Sequence, residues 1–299
     1  SYATYLAKEI LGLRPLVFHV DAGWNSNQAV SNIEKLLNGL NLDLFTEVVN
    51  WEEMKDLQRS YFQAQVPNID GPQDIAFFSA MYKFARKNKV KYVLTGSNYS
   101  TECCREPYQW GAYLGIDKKF TMGLHKKFGK VPLKTYPILD VFEYKLLYQH
   151  ILGMKVIKPL NNFPFIKEEA ESLLETKFGW ERFKHKHHES RFTRFYEDYW
   201  LPRKFGFEKR RAHFSSLVLT GQMTRDAAIE RISKPELDEI TLMQEFEYVA
   251  NKLDWTKEEF QKIFEGENKT YLDYPNNWPL ISFANQSMQK LGLERRLLR

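Results

Sequence analysis

The residues whose chemistry stands out lie at positions 184–225, where histidine, lysine, arginine and aromatic side chains are concentrated. His185, His187 and His188 fall within four residues, and Arg191 and Arg194 follow three positions apart. Residues three apart on a helix share a face, so the two arginines could hold one anion with their fork-shaped guanidinium groups. The pyrophosphate of ATP or the diphosphate of a nucleotide sugar would suit them.

Two other interpretations of residues 184–225 remain possible. Aromatic side chains are interleaved with the arginines, and such a surface can stack on RNA bases. The charges could also form an ordinary solvated helix face. Residues 182–211 contain ten Lys or Arg and four Asp or Glu, whereas the whole chain carries a net charge of only +5. The basic character is therefore local, which argues against RNA and suggests a phosphorylated partner.

A metal site is not indicated in this sequence. His187 and Glu189 lack the spacing of a helical His-x-x-x-His pair. Cys103 and Cys104 are adjacent, so they lack the spaced pairs of a zinc site and cannot make a disulfide framework. They are expected to be packing or loop residues, and a reducing cytoplasm is the expected compartment.

A strand followed by a sharp turn and a helix is predicted early in the chain. Residues 16–20 are apolar, β-branched and aromatic, as in a buried parallel strand, and the run stops at Asp21. Asn25 and Ser26 then offer a cap for a helix. Ligands of open parallel sheets bind at the carboxyl ends of the strands, so residues 20–26 are the first candidate site wall. The alternative is that Asp21 merely ends a strand.

A second candidate ligand loop follows the predicted strand at residues 91–95. It begins with Gly96, Ser97 and Asn98. Glycine permits close backbone approach, and the serine and asparagine supply hydrogen-bonding groups for a ribose or a phosphate.

The remaining pattern predicts an α/β region followed by a helical one. Residues 43–49 and 134–139 are further predicted strands, and Phe77, Phe78 and Tyr82 are expected in the core of a buried helix. The sheet is expected to close near residue 158. Predicted helices then cover residues 167–179, 188–200, 207–221, 224–233, 238–253, 256–265 and 277–292.

Length and composition are those of a globular protein of one or two domains. The chain has 299 residues, of which 43% are hydrophobic. No apolar run approaches the roughly 20 residues that cross a bilayer. Insertion into a membrane is therefore not expected.

Several segments together resemble the N-acetyl sugar amidotransferases of lipopolysaccharide, O-antigen and nonulosonic-acid biosynthesis, which belong to the PP-loop (N-type) ATP pyrophosphatase superfamily. The resemblance covers most of the chain. The segments that carry it are HVDAGWNSNQAVSNIEKLL (19–37), VVNWEEMKDLQ (48–58), YVLTGSNYSTE (92–102), HKKFG (125–129) and KHHESRFTRFYEDYWLPRKFGFEKRRAHFSSLVLTGQMTR (186–225).

The resemblance implies an α/β fold and a particular reaction. A parallel-sheet PP-loop ATP pyrophosphatase domain (adenine nucleotide α-hydrolase-like) would occupy residues 1–158, and an all-helical region for substrate binding or assembly would occupy 159–299. ATP, with Mg²⁺, would adenylate the amide oxygen of an N-acetyl group on a UDP-linked sugar. Ammonia would then displace AMP and leave an acetamidino group.

The resemblance also implies roles for individual residues. Val20, Asp21, Gly96, Ser97, Asn98, Lys126 and Lys127 would bind the nucleotide. His125, Lys204, Arg210 and Arg211 would contact the sugar diphosphate. The catalytic group would contain Lys186, His187, Glu189, Arg191 and Arg194.

Two features of the family are expected upstream of Ser1. They are the pyrophosphate-binding Ser-Gly-Gly-x-Asp-Ser loop and Cys-x-x-Cys pairs of the zinc-ribbon type, which would hold Zn²⁺. No glutaminase nucleophile is recognisable in the chain. The family implies that ammonia comes from glutaminase and cyclase-like partner subunits. The alternative functions are a tRNA-modifying PP-loop enzyme and a non-catalytic nucleotide-binding subunit.

Overall fold

The computed structural model describes residues 1–111, 113 and 115–290. In this part of the chain, four short strands form two separate parallel pairs, and most other ordered segments are helical. The strands are β1 (Val17–Asp21), β2 (Leu44–Val48), β3 (Tyr92–Leu94) and β4 (Lys155–Ile157). β1 pairs with β2, and β3 pairs with β4.

Helices make up most of the second half of the described residues. In chain order the α-helices are α1 (Tyr2–Tyr5), α2 (Asn27–Leu40), α3 (Trp51–Gln63), α4 (Gly71–Lys87), α5 (Tyr99–Glu102), α6 (Lys118–Phe128), α7 (Lys167–Phe178), α8 (Arg191–Phe195), α9 (Arg210–Leu219), α10 (Arg225–Ile232), α11 (Glu239–Lys252), α12 (Lys257–Phe264) and α13 (Trp278–Lys290). Three π-helical segments cover Leu6–Ile10, Glu143–Ile151 and Tyr196–Phe205.

Local signals in the sequence predicted several element ends correctly. β1 ends at Asp21, and the Ser26 side chain caps α2 by accepting the backbone N–H of Ala29. Thr256 and Glu259 form the expected capping box at the start of α12. The predicted helix at 188–200 begins later, at Arg191, because Ser190 is its cap. The last two residues of the predicted helix at 277–292, and residues 291–299 of the second region, lie outside the described residues.

The strand predicted at residues 134–139 is wrong. Its backbone donors bind a side chain instead of a neighbouring strand, since the buried Glu53 carboxylate accepts the N–H groups of Thr135 at 3.0 Å and Tyr136 at 2.6 Å. The short strand β4 was not predicted, because three residues give too little alternation to recognise.

Helix α4 packs against both strand pairs. Phe84 stacks on Phe18 of β1 with ring centroids 4.2 Å apart, while Tyr82 belongs to a buried cluster that also contacts Val93 of β3. Tyr82 is buried as expected. The prediction that Phe77 and Phe78 are core residues is wrong, because they are 37% and 43% exposed.

An aromatic core joins the strand-containing half to the helical half. The fully buried Phe62 of α3 contacts the rings of Phe192, Trp200, Trp255 and Phe260 at centroid distances of 4.6 to 6.0 Å. The two regions predicted on either side of residue 158 therefore share one core, and the boundary between them stays a prediction. Within the described residues, no helix combines the length and apolar character needed to cross a bilayer.

Replacing Phe62 should test this shared core. Phe62→Ala should lower the free energy of unfolding by about 3–5 kcal/mol, because it removes a fully buried ring from a packed cluster. Phe78→Ala, the same change at an exposed site on α4, should change it by less than about 0.5 kcal/mol. Urea unfolding followed by tryptophan fluorescence measures both values. Equal effects of the two changes would contradict the packing described.

Candidate functional site

A cleft of about 450 Å³ lies between α5, α9 and the histidine-rich segment that precedes α8. Its lining includes the predicted residues Lys186, His187 and Arg210. Seven lysines and arginines line it together with five acidic residues, so its charge favours an anion. The basic residues are Arg105, Lys167, Lys184, Lys186, Lys209, Arg210 and Arg231; the acidic ones are Glu102, Glu106, Glu197, Asp198 and Glu236.

The loop after β3 leads directly into a wall of this cleft. The buried Asn98 caps α5, because its side-chain oxygen accepts the backbone N–H of Thr101 at 2.9 Å. Thr101 and Glu102 then line the cleft. Beside them the backbone of Gly96 is open, since an added Cβ would meet nothing within 4 Å. Asn98 therefore shapes the wall, and Gly96 is accessible to a ligand.

The loop after β1 contacts the segment that begins α8. The N–H of Ser26 donates to the carbonyl of Glu189 at 2.9 Å, and the N–H of Arg191 donates to the carbonyl of Trp24 at 3.0 Å. Asp21 fixes this loop from within, because its carboxylate accepts the N–H of Gly23 at 2.8 Å. The candidate loop after β1 is therefore bonded to residues 189–191.

The same segment also reaches the wall that follows β3. Lys186 Nζ lies 3.4 Å from the carboxylate of Glu102 at the end of α5. Residues 186–191 thus contact the end of α5 through Lys186 and the loop after β1 through Glu189 and Arg191. The loop after β1 and the short helix that follows the loop after β3 border the same segment.

His187 has an unusual backbone and a shifted pKa. Its φ of 64° is left-handed, which is uncommon for a residue other than glycine. Burial lowers its pKa, but the carboxylates of Glu197 and Glu189 more than offset this and raise the pKa above its ordinary value. The imidazole and the Glu189 carboxylate are 3.5 Å apart. For Glu189, burial is outweighed by the nearby His187, and the pKa of its carboxyl is lowered.

A half-buried charge cluster behind His187 was missed by the sequence analysis. Lys209 Nζ lies 3.2 Å from Glu106, 3.7 Å from Glu197 and 4.0 Å from Asp70. These carboxylates and the Tyr196 ring outweigh the effect of burial and raise its pKa well above the usual value. In the sequence, Lys209 is only one of the ten basic residues at 182–211. The sequence does not single it out, because two of its partners, Asp70 and Glu106, lie far away along the chain.

The predicted phosphate-binding pair, Arg191 and Arg194, holds an anion from the protein itself. Both guanidinium groups bind the buried carboxylate of Glu245 on α11, with Arg191 Nη2 at 2.8 Å. The Arg191 guanidinium also lies 3.4 Å from the ring centroid of Tyr248. The two arginines share a helix face as expected, but this face packs against α11 and does not line the cleft. The geometry favours a structural role for them.

Other predicted phosphate or sugar ligands also lie outside the cleft lining. His125 bonds to the carbonyl of Val131 at 2.8 Å, and Lys127 lies over the ring of Tyr274. Lys204 donates to the carbonyls at the end of α12, and burial lowers its pKa to about 8. Lys126 and Arg211 are exposed, and Val20 packs at the edge of the aromatic core.

Arg210 lines the cleft, but much of its hydrogen-bonding capacity is already used. Its guanidinium binds the carboxylate of Glu208 at 2.8 Å and approaches Glu236 at 3.3 Å. It also donates to carbonyls near the end of α10. Lys184 and Lys186 are therefore better placed than Arg210 to bind an anion.

Residues 189–285, about a third of the chain, match the family model described as "LPS biosynthesis protein WbpG-like, C-terminal domain". This stretch is similar to a lipopolysaccharide biosynthesis protein. No curated protein matches the chain. The matched region starts at Glu189 and includes α8 and α9, so it carries part of the cleft wall.

No set of three or more His, Cys, Asp or Glu side chains in the described ranges is arranged to hold a metal ion. The residues expected to hold Zn²⁺ were placed upstream of Ser1.

The effects of replacing Arg191 and Arg194 on the free energy of unfolding should be non-additive. Arg191→Ala or Arg194→Ala alone leaves one guanidinium on Glu245 and should cost about 1 kcal/mol of unfolding free energy. The double variant leaves a buried carboxylate unpaired and should cost about 3–5 kcal/mol. Denaturant unfolding of the four proteins in this cycle gives the coupling. A double variant equal to the sum of the single changes would argue against a shared carboxylate.

The raised pKa of His187 predicts a definite pH dependence. A histidine whose pKa is higher in the folded state adds stability below its unfolded pKa, near 6.5, and loses it as pH rises through the folded value. The stability difference between the wild type and His187→Asn should thus be largest below pH 6.5 and shrink at higher pH. Asparagine tolerates the left-handed backbone.

His150→Asn, the same change at an exposed histidine on a different segment, is the control. Thermal or urea unfolding between pH 5 and pH 8 supplies the measurement. A His187→Asn difference that grows with pH would show that the pKa is lowered instead.

Proposed function

We propose that this protein is an ATP-dependent, AMP-forming amidotransferase. It would convert the acetamido group of a UDP-linked N-acetyl sugar into an acetamidino group. The observation that supports this most is that residues 186–191 contact both the loop after β1 and the end of α5, at the edge of a basic cleft. The similarity of residues 189–285 to a lipopolysaccharide biosynthesis protein supports a sugar substrate.

The charge and size of the cleft fit a sugar diphosphate. Lysine and arginine outnumber acidic residues in its lining, and most of the acids are paired within the protein. The half-buried Lys186 and the neighbouring Lys184 would bind the diphosphate. A cavity of about 450 Å³ falls in the range that small-molecule sites occupy.

ATP would lie along the strand-end loops. Gly96 offers open backbone, and the loop that Asp21 shapes would border the adenine. Asn98 and Asp21 use their side chains to fix these loops, so they act by positioning the backbone. Ser97 would contact the ribose or phosphate. Mg²⁺ would accompany ATP and neutralise charge on its phosphates.

The chemistry then has two steps. The amide oxygen attacks the α-phosphorus of ATP. The bond between the α-phosphorus and the pyrophosphate oxygen breaks, pyrophosphate leaves, and an O-adenylyl imidate cation forms. Ammonia adds to the activated carbon, the carbon–oxygen bond breaks, and AMP leaves with one proton while an amidinium remains. Cations of the cleft would stabilise the charge on the leaving groups.

His187 is well placed to exchange protons in the second step. Its imidazole lines the cleft, and the carboxylates of Glu189 and Glu197 keep its pKa above the ordinary value. A raised pKa favours the protonated imidazole, which could donate a proton to departing AMP. Ammonia would come from partner glutaminase and cyclase-like subunits, and the reaction would take place in the cytoplasm.

The aromatic residues of the basic stretch argue against an RNA substrate. Phe192, Phe195, Tyr196, Tyr199 and Trp200 are at most 5% exposed. Side chains buried in this way cannot stack on bases. For these five residues, the interleaving seen in the sequence reflects core packing.

The direct test is an assay with ATP, ammonium chloride and a panel of UDP-N-acetyl sugars. AMP and pyrophosphate should form together with a sugar in which NH replaces the amide oxygen, as mass spectrometry would show. Lys186→Ala should lower the rate roughly 10²-fold if the lysine stabilises developing charge. Lys262→Ala, an exposed lysine on α12, should leave it unchanged.

Formation of ADP and phosphate in place of AMP would rule out adenylation. Release of AMP that requires RNA, with affinity falling steeply as salt is raised, would instead favour the tRNA-modifying alternative.

A further inference from the structure

His213 on α9 forms part of the cleft wall and was not singled out by the sequence analysis. Its Nδ1 lies 3.3 Å from the carbonyl oxygen of Thr101 on α5. A carbonyl can only accept a hydrogen bond, so Nδ1 carries the ring proton. In a neutral imidazole the lone pair is then on Nε2.

The surroundings keep this ring neutral. Burial, together with the positive charges of Lys186, Lys167 and His187, lowers the pKa of His213 to about 3. Glu102 is close in sequence to the Thr101 carbonyl, but its carboxylate is paired with Lys186. Near neutral pH, His213 therefore places a neutral acceptor among cations.

Nε2 has no hydrogen-bond partner among the described residues, and it is not fully enclosed. The carboxylates of the cleft differ in this respect, since each has a cationic or imidazole partner. The pairs are Glu102 with Lys186, Glu106 and Glu197 with Lys209, Asp198 with His188, and Glu236 with Arg210. His213 is thus an uncommitted acceptor in a cleft suited to anions.

The orientation of the ring is fixed by the structure behind it. The Thr101 N–H and hydroxyl both donate to the buried Asn98 side chain, at 2.9 and 3.2 Å. The buried Ser216 on α9 accepts the N–H of Cys104, which joins α9 to the chain that follows α5. An acceptor held in this way is preorganised for a ligand.

We propose that His213 Nε2 determines sugar specificity by accepting a hydrogen bond from a neutral N–H or O–H of the sugar whose diphosphate lies on the lysines. This rests on the proposed function, because it takes the same ligand. An isolated anion offers no such donor, so the acceptor would select for the sugar and not for the diphosphate.

The test compares the wild type with two variants. His213→Phe keeps a ring and removes the lone pair, while His213→Gln offers an amide oxygen that can replace Nε2. Binding of UDP, UDP-N-acetylglucosamine, UDP-glucose and UDP-2-deoxyglucose is measured by calorimetry. His213→Phe should weaken sugar-nucleotide binding roughly tenfold and leave UDP unchanged, and His213→Gln should restore part of the loss.

The ligand panel identifies the donor. A loss confined to UDP-N-acetylglucosamine assigns the amide N–H, and an equal loss for all three sugars assigns another ring hydroxyl. Because the pKa is about 3, the effect should be constant between pH 5 and pH 8. His150→Phe is the matched control, and circular dichroism checks that each variant is folded.

Two results would overturn the proposal in distinguishable ways. If the wild type binds UDP sugars and His213→Phe binds them equally well, His213 has no such role and the proposed function survives. If the wild type binds none of these nucleotides, the role proposed for His213 and the proposed function are both wrong.

Discussion

The structure of the candidate site depends on the pairing between residues 24–26 and residues 189–191. Two backbone hydrogen bonds, Ser26 to Glu189 and Arg191 to Trp24, join a loop of the first strand pair to the start of α8. These residues are far apart in the sequence, so the bonds form only when both halves of the chain are folded. The strand-end loops and the basic segment have a defined relation because of this pairing.

Helix α11 also stabilises this pairing, because its side chains contact both the loop after β1 and α8. Lys252 donates to the carbonyl of Gly23 and lies 4.7 Å and 4.9 Å from ring centroids of Trp24 and Trp51. Gly23 needs its small size, because a Cβ there would lie 2.8 Å from the Trp51 ring. Glu245, on the same helix, holds both arginines of α8. The loop is therefore fixed by aromatic packing and by charge, and neither requires a ligand.

The sequence predicted features that depend on neighbours in the chain. The end of β1 at Asp21, the cap at Ser26 and the capping box at Thr256 follow from local hydrogen bonding. The prediction from sequence failed where a residue distant in the chain binds the backbone. The Glu53 carboxylate accepts the N–H groups of Thr135 and Tyr136, which a neighbouring strand would otherwise bind.

The same limit applies to the candidate site. Spacing placed Arg191 and Arg194 on one face but could not reveal that Glu245 would occupy it. Lys209 and His213 depend on tertiary partners and gave no local signal.

The cap on α5 links the two ends of the candidate site mechanically. Four residues are too few to form a helix unaided, so α5 persists only while Asn98 holds its first turn and α9 supports it. The Thr101 carbonyl that orients His213 belongs to this turn. Two hydrogen bonds, Thr101 to Asn98 and His213 to Thr101, therefore connect the loop after β3 with the imidazole. The turn that ends this loop and the direction of the acceptor on α9 have one common support.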